Sequence, residues 1–182
     1  ALLGVASSIS VYLAGRWLYS RRAGVLAAVV LATMPLFFAL SHYANMDVEV
    51  ASWLNLSLLS FIVGIRQEQD GYRRVFLYLA YAFAAFAFLT KGMIGLVFPI
   101  MIIGIWVFIT GQWHTLKKMC LPTGLLLFVV ITAPWFVWMG LHHPGFLQYF
   151  FVNQQVDRFL GTSFNEHQPM WYYVQLLFEG AF

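Results

Sequence analysis

Apolar stretches of about membrane-spanning length fill this chain, and eight of its ten Lys and Arg residues gather at every second gap between them. Arg16, Arg21 and Arg22 share one gap, Arg66, Arg73 and Arg74 a second, Lys117 and Lys118 a third. A helix needs about 20 mostly apolar residues to cross the hydrocarbon core. Six such spans are expected near 2–19, 23–41, 49–65, 75–90, 93–111 and 119–139, with the start of a seventh at 171–182. These runs are too long for β-barrel strands of about 10 residues. The expected fold is therefore all-α, a polytopic transmembrane helical bundle. Short loops rich in Lys and Arg mark the cytoplasmic side, which leaves Lys91 and Arg158 on the opposite, outer side together with Asp47.

Composition bounds the function classes. Charged residues make up 9% of the chain and the mean hydropathy is +0.77, which excludes an ordinary soluble domain, where about a quarter of residues are charged. A net charge of +3 is spread over cytoplasmic loops that face anionic headgroups, so membrane lipids and not nucleic acid are the expected partners of those cations. Cys120 is the single cysteine, and burial as a small hydrophobe is its default state. The chain starts at Ala1 inside one apolar run and stops at Phe182 inside another. The expectation is that 1–182 is a fragment of one transmembrane domain cut from a longer protein.

The outer side carries the turn Ser41–Asp47, the tight turn Thr90-Lys91-Gly92 and a long segment, 140–170. Within that segment Pro144 suits the first turn of a helix and Gly161 its C-terminal stop. Between them aromatic and aliphatic residues alternate with Gln148, Asn153, Gln154, Gln155, Asp157 and Arg158, as in a helix lying in the membrane interface. Pro169 opens the last span, where Trp171, Tyr172 and Tyr173 read either as an aromatic belt or as a cavity wall.

Lys91 ends one helix and Gly92 begins the next. Its ammonium either pairs with the orphan carbonyls of its own helix or joins the N–H groups of the following helix, open beside Gly92, to hold an anion such as a lipid phosphate. Asp47 and Glu49 enter at the top of the third span. They are either dipole partners of that helix or functional carboxylates at membrane depth; Lys91, if close, favours the ionised form of Asp47. Arg158 either snorkels to headgroups or grips phosphate with its fork. His42, His142, His143 and His167 lie on the outer side and, with Asp47 or Glu166, could take a divalent metal, but no ligand spacing is diagnostic.

Three landmarks follow in order: Met46-Asp47; Leu89-Thr90-Lys91-Gly92 before a helix containing Pro99; and Val156-Asp157-Arg158-Phe159-Leu160-Gly161 leading to His167-Gln168-Pro169-Met170-Trp171-Tyr172-Tyr173. Together they resemble bacterial membrane glycosyltransferases related to the aminoarabinose transferases of lipid A and to protein O-mannosyltransferases. The resemblance implies a GT-C fold in the bacterial inner membrane, a polyprenyl-phosphate-linked sugar as donor, a lipid, glycan or protein acceptor, and transfer at the periplasmic face. It implies that Lys91, with Gly92, and Arg158 contact the donor phosphate, that Asp47 assists catalysis, and that His167 and Tyr172 line the cavity. It also implies that the principal acidic residue of such enzymes lies in a first outer loop before Ala1. Aminoarabinose transferases carry a histidine shortly before the arginine of the interfacial helix; here that stretch reads Asn153-Gln154-Gln155-Val156-Asp157, which counts against a metal site built on it.

Two other classes fit the composition. A transporter or flippase of a lipid-linked substrate would carry ionisable groups or broken helices near the midplane and an inverted repeat, whereas the unusual charges here cluster at one interface. A non-catalytic membrane subunit would use the aromatic helix 144–160 to dock a partner.

Overall fold

The computed structural model describes residues 2–42 and 46–152, together with residues 171, 172, 175 and 178. Among them all regular structure is helical. Helix α1 (Leu2–Leu18) turns sharply into α2 (Arg21–Thr33), with Ser20 at its N-cap. The Ser20 hydroxyl accepts the Ala23 N–H at 3.2 Å, satisfying one of the amides that a helix start leaves open. The span expected at 23–41 is two helices, because α3 (Pro35–His42) opens on proline. Pro35 disfavours helical backbone in the residue before it, and Met34 is accordingly extended, with φ −61° and ψ 122°. The Met34 N–H still reaches the Val30 carbonyl at 3.0 Å, so the chain is bent there and not released.

The third to sixth spans also shift at their ends. Helix α4 (Met46–Ile65) starts before residue 49 and α5 (Asp70–Lys91) before residue 75. Both first turns hold acids, Asp47 and Glu49 in α4 and Asp70 in α5, which the positive helix end stabilises. Polar first turns therefore extend the helices beyond their apolar cores. A two-residue turn leads to α6 (Ile94–Thr110), and the loop expected at Gln112–Lys118 contains a short helix, α7 (His114–Lys118). Helix α8 (Leu121–His142) runs past residue 139, where the His142 ring stacks on Trp138 at 4.7 Å. Cys120, only partly buried, caps α8 in a left-handed conformation with φ 52°.

Among the described residues three helices, α4, α5 and α8, are long and apolar enough to cross a membrane; α6 is apolar and shorter, at 17 residues. Helix α5 is central, packing on α4, α6 and α8. One core cluster joins Phe61, Leu77, Ala80, Val107 and Met119, a second Ala84, Ala85, Phe88 and Phe128. Between α4 and α5 the Ser57 hydroxyl donates to the Ala80 carbonyl at 2.8 Å, and Trp53 packs its ring on Phe83 and Phe86, 5.9 and 5.1 Å away. Outward faces stay apolar: Ile100, Phe108, Ile109, Leu126 and Val130 are exposed, a surface that suits lipid or further membrane helices.

The alternation of charge survives in three dimensions. Arg16 lines a cavity with Gln67 and Phe76, and Arg66 lines another with Trp106. Met119, next to Lys118, packs on Phe61 and Leu77. The three basic gaps thus share one end of the bundle, and Asp47 and Lys91 occupy the other.

Candidate functional site

Antiparallel packing of α4 on α5 sets the start of one helix beside the end of the other. Asp47 stands in the first turn of α4 and Lys91 is the last residue of α5. The Lys91 ammonium donates to the Asp47 carboxylate across 44 residues of sequence. Each charge also sits at the helix pole that favours it, the carboxylate at a positive N-terminus and the ammonium at a negative C-terminus. The Lys91 and Asp47 side chains remain 33% and 51% exposed, so a third polar group can reach the pair.

The turn below this pair is tight. Gly92 takes φ 76° and ψ −138°, a conformation that side chains oppose, and its N–H donates to the Phe88 carbonyl at 2.7 Å. The N–H groups of Gly95 and Leu96 turn back onto the carbonyls of Gly92 and Met93, each at 3.0 Å. The opening amides of α6 expected to be free beside Gly92 are therefore already engaged at these two positions, because so short a turn closes through three-residue hydrogen bonds.

Sequence reasoning missed what supports the corner. One turn before Lys91, the Phe88 ring meets Phe128 and Phe136, both at 5.5 Å, and Phe150 at 6.4 Å. Phe136 also meets Phe150 at 5.0 Å and Phe151 at 5.5 Å. This cluster docks the start of the outer segment on α5 and α8. That segment opens differently from expectation: the helix begins after Gly145, which adopts φ 88°, and not at Pro144. A short helix α9 (Phe146–Gln148) leads into a wider π-type turn over 149–152. The sequence signal for this contact is the spacing of Phe146, Phe150 and Phe151.

Tyr172 lies on helical backbone and is 37% exposed. Arg158 and His167, the remaining expected contacts, fall outside the described residues, as does the stretch 153–160 of the expected interfacial helix. His142 and His143 gather around Trp138, with His142 Nδ1 2.8 Å from the Trp138 carbonyl oxygen. Among the described residues no group of three or more His, Cys, Asp or Glu side chains is placed to hold a metal ion.

Comparison with known proteins gives a consistent result. Residues 1–138 match the family described as dolichyl-phosphate-mannose-protein mannosyltransferase. The undecaprenyl phosphate-alpha-4-amino-4-deoxy-L-arabinose arabinosyl transferase of Aeromonas salmonicida is 29% identical across 97% of this chain and 32% of its own length. Its counterpart from Edwardsiella ictaluri is 30% identical across 98% of this chain, again 32% of the relative. Among crystal structures, ArnT from Cupriavidus metallidurans bound to undecaprenyl phosphate superposes with a TM-score of 0.94 at 23% identity, covering 99% of this chain and 33% of that one. Its apo state gives 0.86 at 22% identity over 99% of this chain and 32% of that one. The helical membrane fold is thereby established, and the chain spans about a third of the length of the curated relatives it matches.

Proposed function

The chain belongs to the dolichyl-phosphate-mannose-protein mannosyltransferase family, and from that premise we propose that it forms part of a bacterial inner-membrane glycosyltransferase. The donor is a sugar carried on a polyprenyl phosphate, the acceptor a lipid, glycan or protein, and transfer occurs at the periplasmic face. Helices α1, α2 with α3, α4, α5, α6 and α8 are six crossings of one transmembrane domain, and 171–182 begins a seventh. The segment 140–170 lies at the outer interface as the wall of the site.

The observation that carries this reading is the pairing of Asp47 with Lys91 at the end of the bundle opposite the basic gaps. Sugar transfer breaks the bond between the anomeric carbon and a phosphate oxygen, leaving the electron pair on that oxygen. A fixed cation there offsets the growing charge, which is often the largest catalytic contribution. Lys91, next to the Gly92 turn, supplies one such cation, and Arg158 from the outer segment supplies the second. Asp47 assists at the acceptor side. Tyr172 and His167 line the cavity around the sugar. The aromatic cluster of Phe88, Phe136 and Phe150 supports this arrangement by fastening the outer segment beside the end of α5.

The test is sugar transfer by full-length protein with defined polyprenyl-phosphate sugars. Lys91→Ala and Arg158→Ala should each lose about a hundredfold or more in rate, the scale of removing one transition-state donor, while inserting and unfolding like the wild type. Wild-type rates in both variants would remove the phosphate role.

A further inference from the structure

Lys91 is committed to Asp47 in this structure, yet the same ammonium is the group best placed to meet a phosphate. We propose that Asp47 is a resident counter-ion that competes with the polyprenyl phosphate for Lys91, yielding it to the donor and reclaiming it to help expel the product. The inference rests on the phosphate reading above and adds a role for Asp47 that the reading does not contain.

The argument is one of charge balance. The donor is a phosphodiester and carries one negative charge. When the anomeric carbon–oxygen bond breaks, its electron pair stays on the phosphate. The acceptor oxygen bonds to the anomeric carbon, and its proton leaves to a carboxylate. The product is then a phosphate monoester, which near neutral pH carries about 1.5 to 2 negative charges. A lone lysine would hold this product more tightly than the donor and slow its release. A carboxylate on the same lysine opposes that trend, because its repulsion grows with the charge on the phosphate. The geometry suits such an exchange. The pair is partly exposed, so separating it costs little, an exposed pair being worth about two- to fivefold in an equilibrium. The two partners come from different helices, so Lys91 can swing to the phosphate while Asp47 stays in the first turn of α4.

The experiment measures binding of undecaprenyl phosphate and of an undecaprenyl phosphodiester sugar to full-length protein in nanodiscs. The variants are Asp47→Asn, Lys91→Ala and the double substitution. The expected result for Asp47→Asn is about two- to fivefold tighter binding of the monoester, a smaller gain for the diester, and stronger inhibition by product. Lys91→Ala should weaken both ligands, and the double variant should bind no more tightly than Lys91→Ala alone. Should Asp47→Asn fail to insert, Asp47→Ser carries the same expectation. Infrared difference spectra give a second readout: a carboxylate band should shift on adding undecaprenyl phosphate and be absent in Asp47→Asn. Weakened binding in Lys91→Ala with no gain in Asp47→Asn would overturn the counter-ion role and leave the phosphate role standing. Unchanged binding in Lys91→Ala would overturn the phosphate role itself.

Discussion

The two ends of the bundle hold their charges in different ways. At the basic end the α1–α2 hairpin is closed, a side-chain carbon on Gly24 colliding with the backbone of Tyr12 and Arg16, but cavities open beside its cations: one of about 660 Å³ at Arg16 and one of about 230 Å³ at Arg66. The ion pair described there, Arg73 with Asp70, is local to a single helix turn. At the outer end the backbones close up. A side-chain carbon on Gly95 would collide with the backbone of Ala87 and Phe88, and among the described residues the ion pair there, Lys91 with Asp47, joins two helices. The basic end gathers many cations and pairs Arg73 within a single helix turn, whereas at the outer end Lys91 is held across two helices. The α5–α6 pair opens along its length: near Gly104 it has separated enough to leave open space and a cavity of about 360 Å³.

Four substitutions probe this contrast beyond the Lys91 and Asp47 variants. The largest effect is expected from Gly95→Val against Gly104→Val. The first must push backbone apart, so unfolding of full-length protein in detergent should show a loss of about 2 kcal/mol together with a fall in transfer. The second adds its methyl groups to open space and should stay within about 0.5 kcal/mol. Equal effects would show that the two ends are alike. Ser57→Ala comes next, since it removes a buried bond between α4 and α5. It should cost about 0.6 kcal/mol, the usual worth of an interhelix hydrogen bond in a membrane, and a cost above 2 kcal/mol would move the anchor of the hairpin to its middle. The smallest is Asp70→Asn, on the basic end, where Asp70 is 67% exposed. It should change stability by about 0.5 kcal/mol or less and leave transfer untouched; a large loss of transfer would place chemistry at that end.

Much of the fold was legible because membrane helices write themselves as apolar length. The alternation of Arg and Lys put the basic gaps at one end of the bundle, where the structure has them, and Lys91 and Asp47 stood out as charges at the other end. Helix starts were less legible: Asp47 and Asp70 look like loop residues on hydropathy, though a helix dipole welcomes them. Pro35 was visible, but proline is common in membrane helices, and Pro99 and Pro134 lie inside α6 and α8 without ending them. That Lys91 bonds Asp47 could not be read, since the 44 intervening residues fix the register only through packing. The aromatic cluster around Phe88 was hidden for the same reason, in a chain with 18 phenylalanines.

The shortness of α6 has a consequence for the bilayer. At a rise of 1.5 Å per residue its 17 residues reach only about 25 Å, whereas the 22 residues of α5 reach about 33 Å. A hydrocarbon core is about 30 Å thick. The two-residue turn after Lys91 holds the tops of these helices level, so the whole deficit appears at the basic end, where Gly111 stops α6. A span shorter than the core is matched, among other ways, by local thinning of the bilayer, at a fraction of a kcal/mol per ångström. The α6 side of the bundle is therefore shorter than its α5 side, and a bilayer meeting a helix of that length would have to thin there.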